Sequence, residues 1–288
     1  MSQLKWIKNE IETVNNFKNL SDIYGEIASI RMMKIRESVL KNRDYIFSIT
    51  QIFYEALASF LRKTTKISLN KKFLKKNRIT FLSHNGKMVF VLISANTGFY
   101  GDVVTKTFNK FVNELKTSDA EVTIIGKIGK KIFSENFPKR PFTFFELPDY
   151  GSDKNKLLAI INHLVQYDEV RVYYSAYDTV INQRPLMSNL TAGTTLIQKA
   201  EKSKEEFIFE PSVEEILMFF EKEVFGSFFD QTIKENQLSK LSGRIMAMDR
   251  ASLSIKNRIK EINFDYLKIR HREMNKKQLS LLQSLVYH

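Results

Sequence analysis

The feature that most limits what this chain can fold into is a run of apolar residues in its last third. Leu238, Leu241, Ile245, Met248, Ser252, Ile255, Ile259, Ile262, Tyr266 and Ile269 follow one another at alternating steps of three and four, and only Ser252 is polar. A mean spacing of about 3.5 residues keeps one seam toward a partner helix and winds the pair left-handed. No Pro follows Pro211, and Ser212 with Glu215 has capping-box spacing. One helix over 212–286 is therefore expected, on the order of 110 Å long at ~1.5 Å per residue. A helix of that length needs a second long helix to cover its seam.

Residues 2–63 read as that partner. Leu4, Ile7, Ile11 and Val14 begin a seam, and Leu20, Ile23, Ile27 and Ile30 continue it. After a phase slip, Met32, Ile35, Val39, Asn42, Ile46, Ile49, Phe53, Ala56 and Phe60 restore the heptad step. Gly25 marks either close helix approach, the favoured reading, or a break, since Gly within a helix costs about 1 kcal/mol relative to Ala. Arg62, Lys63, Lys66, Lys71, Lys72, Lys75, Lys76 and Arg78 then form a solvated basic linker or helix end, with contact to an acidic surface as the alternative.

The middle of the chain follows a different rhythm. Residues 88–94 are almost continuously apolar, as in a strand covered on both faces. Helices are expected over 103–116, 130–137 and 154–167, and further strands over 121–125, 142–147 and 170–175. This alternation predicts an open, Rossmann-like α/β domain with helices on both faces of its sheet. Residues 180–204 are less regular, and 206–209 suit an edge strand. The expected organisation is an N-terminal coiled-coil helix (1–63), a basic linker (64–84), the α/β domain (85–209) and a C-terminal coiled-coil helix (210–288). Because the long helices stand at opposite ends of the chain, they pair antiparallel most simply.

Charge and composition narrow the function. The net charge of +13 calls for an acidic partner, whether nucleic acid, anionic lipid or protein. The absence of Cys removes thiol nucleophiles, disulfides and thiolate metal sites, and fits a cytosolic setting. No apolar run approaches the ~20 residues needed to span a bilayer, and the polar N-terminus does not read as a signal peptide. Gly98 and Gly101 lack the full dinucleotide fingerprint, and the 126–131 stretch lacks P-loop spacing. The four His are scattered, and Asp149 and Asp153 around Gly151 supply too few oxygens for calcium. No catalytic, cofactor-binding or metal-binding residue is therefore nominated. A basic coiled coil binding nucleic acid and a small-molecule enzyme built on the α/β domain stand as alternatives, without a groove-reading motif or a catalytic set to support either.

The strongest pattern is Glu210-Pro211-Ser212, then Glu215-Ile216-Leu217, then Ser242-Gly243-Arg244-Ile245-Met246-Ala247-Met248-Asp249-Arg250-Ala251, followed by 262–272 (INFDYLKIRHR). In these stretches, and in the order of its elements over nearly its whole length, the chain resembles the gamma subunit of F-type rotary ATP synthases. The family's N-terminal pattern is similar only loosely, at 27–35, and its loop after the first strand is replaced by 94–102 (SANTGFYGD). Its small-residue C-terminus is replaced by 283–288. These departures leave open a divergent paralogue serving a specialised rotary ATPase.

The resemblance implies a central stalk whose coil enters a ring of alpha- and beta-type subunits and whose α/β domain is a foot. Asymmetric contacts would then couple nucleotide turnover in the ring to rotation. ATP, ADP and Mg would belong to the partner subunits, with no cofactor on this chain. An epsilon-type subunit and a membrane rotor ring or another load are the further implied partners, with nucleic acid and a direct membrane span excluded. The implied place is cytoplasmic, peripheral at the inner face of the cell membrane. Arg244, Arg250, Lys256, Arg258, Lys260, Lys268, Arg270 and Arg272 lie off the seam and are expected to project outward as candidate ring contacts. Leu281, Leu282, Leu285 and Val286, with Leu279, would form an apolar tip.

Overall fold

The computed structural model describes residues 3–66, 82–190 and 212–286. The chain divides into two units, Met1–Ile30 with Arg244–His288, and Arg31–Gly243. Two long helices, α1 (Gln3–Lys66) and α5 (Val213–Val286), contribute to both.

The larger unit is built on five strands, β1 (Met88–Ile93), β2 (Glu121–Ile125), β3 (Thr143–Phe145), β4 (Glu169–Tyr177) and β5 (Gln183–Asn189), in the order β3-β2-β1-β4-β5. The first four run parallel, with Val89 opposite both Glu121 and Val170, and β5 joins β4 antiparallel. Three helices cross between the parallel strands: α2 (Val103–Leu115), α3 (Lys127–Asn136) and α4 (Lys154–Leu164). The apolar run of β1 explains itself here. Val89, Val91 and Ile93 pack with Ile160, Ile161 and Leu164 of α4 and with Phe225, Phe229 and Ile233 of α5. Phe90 and Leu92 point to the other face, where Phe108, Phe111 and Leu115 of α2 and Phe133 of α3 cover them. A strand buried on both sides has no reason to alternate with polar residues.

The Rossmann-like reading of the middle holds, with local differences; the helix expected over 154–167, for one, ends at Leu164. Helix α3 starts at Lys127 rather than 130, because the chain turns at Gly126 with φ +105°, where a Cβ would lie 2.8 Å from the Ala95 amide nitrogen. Strand β5 was not expected. Its sequence, QRPLMSN, is polar and contains Pro185, which marks an edge position rather than a central one. Of the basic cluster, Arg62, Lys63 and Lys66 lie in the last turns of α1, while 71–78 fall outside the described residues, as do 191–211 with the proposed strand over 206–209 and Pro211.

Within the larger unit α1 runs beside α5 in the opposite direction. Ile49, Phe53, Ala56 and Leu57 meet Leu217 and Val224. Further along, the Tyr45 hydroxyl donates to Glu223 at 2.9 Å, and the Asn42 amide to Gln231 Oε1 at 3.2 Å. Asn42, the polar member of the α1 seam, is thus satisfied across the pair. At its start, α5 is capped by the Ser212 hydroxyl, which accepts from the Glu215 amide at 3.2 Å.

Candidate functional site

In the smaller unit the two helices also run antiparallel. A Cβ on Gly25 would sit 3.6 Å from the Met248 Cβ, Asp22 meets Ser252, and Glu10 meets Arg258. Between Asp249 and Arg272 the residues that are not exposed are Ala251, Ser252, Ile255, Ile259, Ile262, Tyr266 and Ile269. Ser252 and Ile262 are buried and the others half-buried. Earlier along α5, Leu238 and Leu241 are buried, and Ile245 and Met248 are half-buried. Ser252 is the polar member of this line, and its hydroxyl donates to Asp22 Oδ1 at 2.7 Å, while Lys18 donates to Oδ2 at 2.7 Å. The hydrogen bond from Lys18, then that from Ser252, holds the Asp22 carboxyl below its ordinary range.

The facing seam on α1 differs from the expected one. Leu4, Ile7, Ile11 and Val14 are at least half-buried, but Leu20, Ile23, Ile27 and Ile30 are 50%, 51%, 38% and 52% exposed. The inward positions are Lys18, Ser21, Gly25 and Ala28, which continue to Met32 and Ile35 without any phase slip. Leu20 lies two residues past Lys18, roughly 200° around the helix and so on its opposite face. Small side chains let the two backbones approach, so apolarity alone misidentified the seam. Helix α1 is unbroken at Gly25, and 3.6 Å is ordinary contact distance.

This leaves an apolar stripe on the outside of α1: Phe17, Leu20, Ile23, Ile27 and Ile30, all exposed. Sequence reasoning missed it as a surface, although its three-four spacing was in plain view. On α5, Arg250, Lys256, Lys260, Lys268, Arg270 and Arg272 are exposed, as is Arg258, which pairs with Glu10 at 3.3 Å and Glu261 at 3.2 Å. Arg244 does not project outward. It is 7% exposed. Leu279, Leu281 and Leu282 are exposed, and α5 continues through Leu285 to Val286, whose side chains lie outside those described.

In the larger unit, the place where a doubly wound sheet would hold a ligand is taken. Strand order reverses between β1 and β4, and ligands of such sheets bind beyond the carboxyl ends of the strands at that point. Here α5 fills it. The Ser175 amide donates to Asn236 Oδ1 at 3.1 Å, and the Ser175 and Ser239 hydroxyls meet at 2.6 Å. Gln237 donates to the Pro148 and Gly151 carbonyls at 3.2 and 2.9 Å, and Ser242 to the Val180 carbonyl at 2.7 Å. The Lys240 ammonium donates to the Ser94 carbonyl at 3.2 Å and to Asp149 Oδ1 at 2.7 Å.

The loop after β1 is engaged in the same way. Its Asn96 and Thr97 amides donate to the Asp149 carboxylate at 3.0 and 2.8 Å, and the Thr97 hydroxyl at 2.8 Å. In a dinucleotide turn such amides hold phosphate; here they hold a side chain of the same protein. Burial works against the Asp149 charge, but the Lys240 ammonium and these donors outweigh it and keep the carboxyl below its ordinary range. A cleft of about 200 Å³ lies alongside, between Lys34, Tyr150, Asp153 and Lys234. Among the described residues, no group of His, Asp and Glu is placed to hold a metal ion, and no helix is long and apolar enough to cross a membrane.

The comparisons with known proteins agree with this architecture. The chain is similar to the ATP synthase gamma chain of Campylobacter lari, 25% identical over 303 residues, with 99% of each chain covered. Among solved structures it is similar to the central stalk and c-ring of Tetrahymena thermophila mitochondrial ATP synthase, at 17% identity and TM-score 0.58, covering 81% of this chain and 99% of that one. It is also similar in fold to a chain in the OSCP/F1/c-ring of Euglena gracilis mitochondrial ATP synthase, at 15% identity and TM-score 0.55, covering 88% and 93%. The family model described as ATP synthase matches residues 3–277, nearly the whole length, and the chain belongs to the ATP synthase family.

Proposed function

We propose that this chain is the gamma-type central rotor stalk of an F-type rotary ATPase, and that it performs no bond chemistry itself. The observation that carries this reading is the helix pair of the smaller unit. Over residues 18–28 of α1 its seam is lined by small and polar residues, while an apolar stripe on α1 and a basic face on α5 stay exposed. A pair stabilised in this way is free to present those faces to a surrounding ring of alpha- and beta-type subunits, which carry ATP, ADP and Mg. The two faces differ, so the ring subunits cannot all meet the shaft alike. Each then takes a different conformation and nucleotide affinity, and turnover in sequence drives rotation.

The filled crevice of the α/β domain supports a non-catalytic role, because Lys240 and Asp149 already occupy what a nucleotide would need. The load is a membrane rotor ring, in keeping with the c-ring named for the structurally similar chains, and an epsilon-type subunit is a further partner. The assembly is peripheral at the inner face of the cell membrane. Co-expression with alpha- and beta-type subunits tests the reading. A complex whose ATPase depends on this chain, with no hydrolysis by the purified chain alone, is the expected result. Turnover by the chain alone, or ring activity indifferent to its omission, contradicts it.

A further inference from the structure

We infer that Lys240 and Asp149 form a key that fixes the angular position of α5 within the α/β body, making them positioning residues for torque transfer; this rests on the rotor reading above. The stretch from Asn236 to Ser242 is buried on every side, yet Leu238 and Leu241 are its only apolar side chains. Its polar side chains Asn236, Gln237, Ser239 and Ser242 hydrogen-bond to the α/β body, and such bonds constrain turning about the helix axis because they weaken steeply off their preferred geometry. A buried ion pair is directional. Lys240 is 5% and Asp149 13% exposed by side chain, and their atoms lie 2.7 Å apart.

Both ends of the key are themselves fixed. Asp149 accepts from the Asn96 and Thr97 amides, so its carboxylate cannot follow α5 if the helix turns. Lys240 also donates to the Ser94 carbonyl at the end of β1, and its ammonium lies 5.5 Å from the centre of the Tyr100 ring. Turning α5 by one residue, roughly 100°, would carry Lys240 away from all of these and leave Asp149 buried without its counterion. The sheet therefore has to move with the helix.

The test uses the assembled complex. The chain has no Cys, so Lys116→Cys, at an exposed site after α2, carries a single rotation probe on the α/β body. Lys240→Met should speed amide exchange over 239–243 by about 100-fold, as expected for breaking one side of a buried pair. It should also widen the angular spread of the probe during ATP-driven rotation. Lys240→Arg should keep the wild-type spread. Lys240→Met with Asp149→Asn removes the stranded charge and should recover thermal stability, but not the narrow spread. Asp149→Asn alone supplies the same measurement where Lys240→Met does not assemble. A spread equal to wild type, or one that returns together with stability in the double variant, overturns the key. Absence of rotation in the unaltered complex instead overturns the rotor reading, and the key with it.

Discussion

The Ser252 hydroxyl donates to the Asp22 carboxylate at 2.7 Å across the antiparallel helix pair. This is the one polar member of the α5 seam meeting an acidic residue of α1 that Lys18 also holds. A polar contact inside a coil fixes register at some cost in stability, because a shifted pair would leave the Ser252 hydroxyl without its partner while Asp22 keeps only Lys18. Ser252→Val should therefore leave the pair helical but loosen its register. Cross-linking is the readout: Gly25→Cys with Met248→Cys should close its disulfide readily in the parent and in clearly lower yield in the Val variant.

Two glycines of the long helices should respond oppositely to Ala. At Gly25 a Cβ meets only Met248 Cβ at 3.6 Å, so Gly25→Ala should gain helix propensity of about 0.5–1 kcal/mol. At Gly243 a Cβ would lie 2.6 Å from the Tyr100 carbonyl oxygen and 2.7 Å from Val103 Cγ2. Overpacking of this kind costs about 1–3 kcal/mol, and backbone cannot yield as a side-chain tip can. Thermal unfolding should show a higher Tm for the first variant and a lower one for the second.

The inner and outer faces of the helix pair should separate in the same spirit. Ile262 is 3% exposed, so Ile262→Asp buries a charge in the seam and should unpair the helices, seen as lost helicity and lost ring coupling. Ile27 faces outward, so Ile27→Asp should leave helicity and Tm nearly unchanged and reduce coupling only. Equal loss of helicity in both would mean that the outward stripe is structural.

Much of the architecture was legible beforehand, for reasons that these residues illustrate. Strand β1 declared itself because both faces are buried, and the α5 seam because Leu, Ile and Tyr repeat in phase. The α1 seam over 18–28 was not legible. There the strongest apolar period, Leu20 to Ile30, marks the surface, while Lys18, Ser21 and Gly25 face inward. Burial of Arg244 and the pairing of Lys240 with Asp149 were equally hidden, since charge reads as exposure until a partner distant in the chain is known.

Asp149 makes the stability of the α/β body depend on acid. Its folded-state carboxyl titrates below the ordinary value of 3.8, with burial opposing and Lys240 and the loop donors prevailing. The unfolded chain takes up the proton first as pH falls. The contribution of Asp149 is thus fully present above about pH 4 and fades as pH falls through the depressed folded value. Asp149→Asn should lower stability at neutral pH and flatten the acid limb of a denaturation series. An acid limb as steep as wild type would show that other carboxylates govern it.

The central claim is that the paired helices turn as one shaft inside a catalytic ring. A disulfide between Cys at 25 and 248 tests it most directly, because the 3.6 Å Cβ separation at Gly25 and Met248 suits that bond. With the 25–248 disulfide formed first and a probe then attached at Lys116→Cys, the locked complex should hydrolyse ATP and turn the probe in one direction at the speed it shows once the lock is reduced. Rotation that stops when the lock forms, or a probe that never turns while ATP is hydrolysed, would contradict the account.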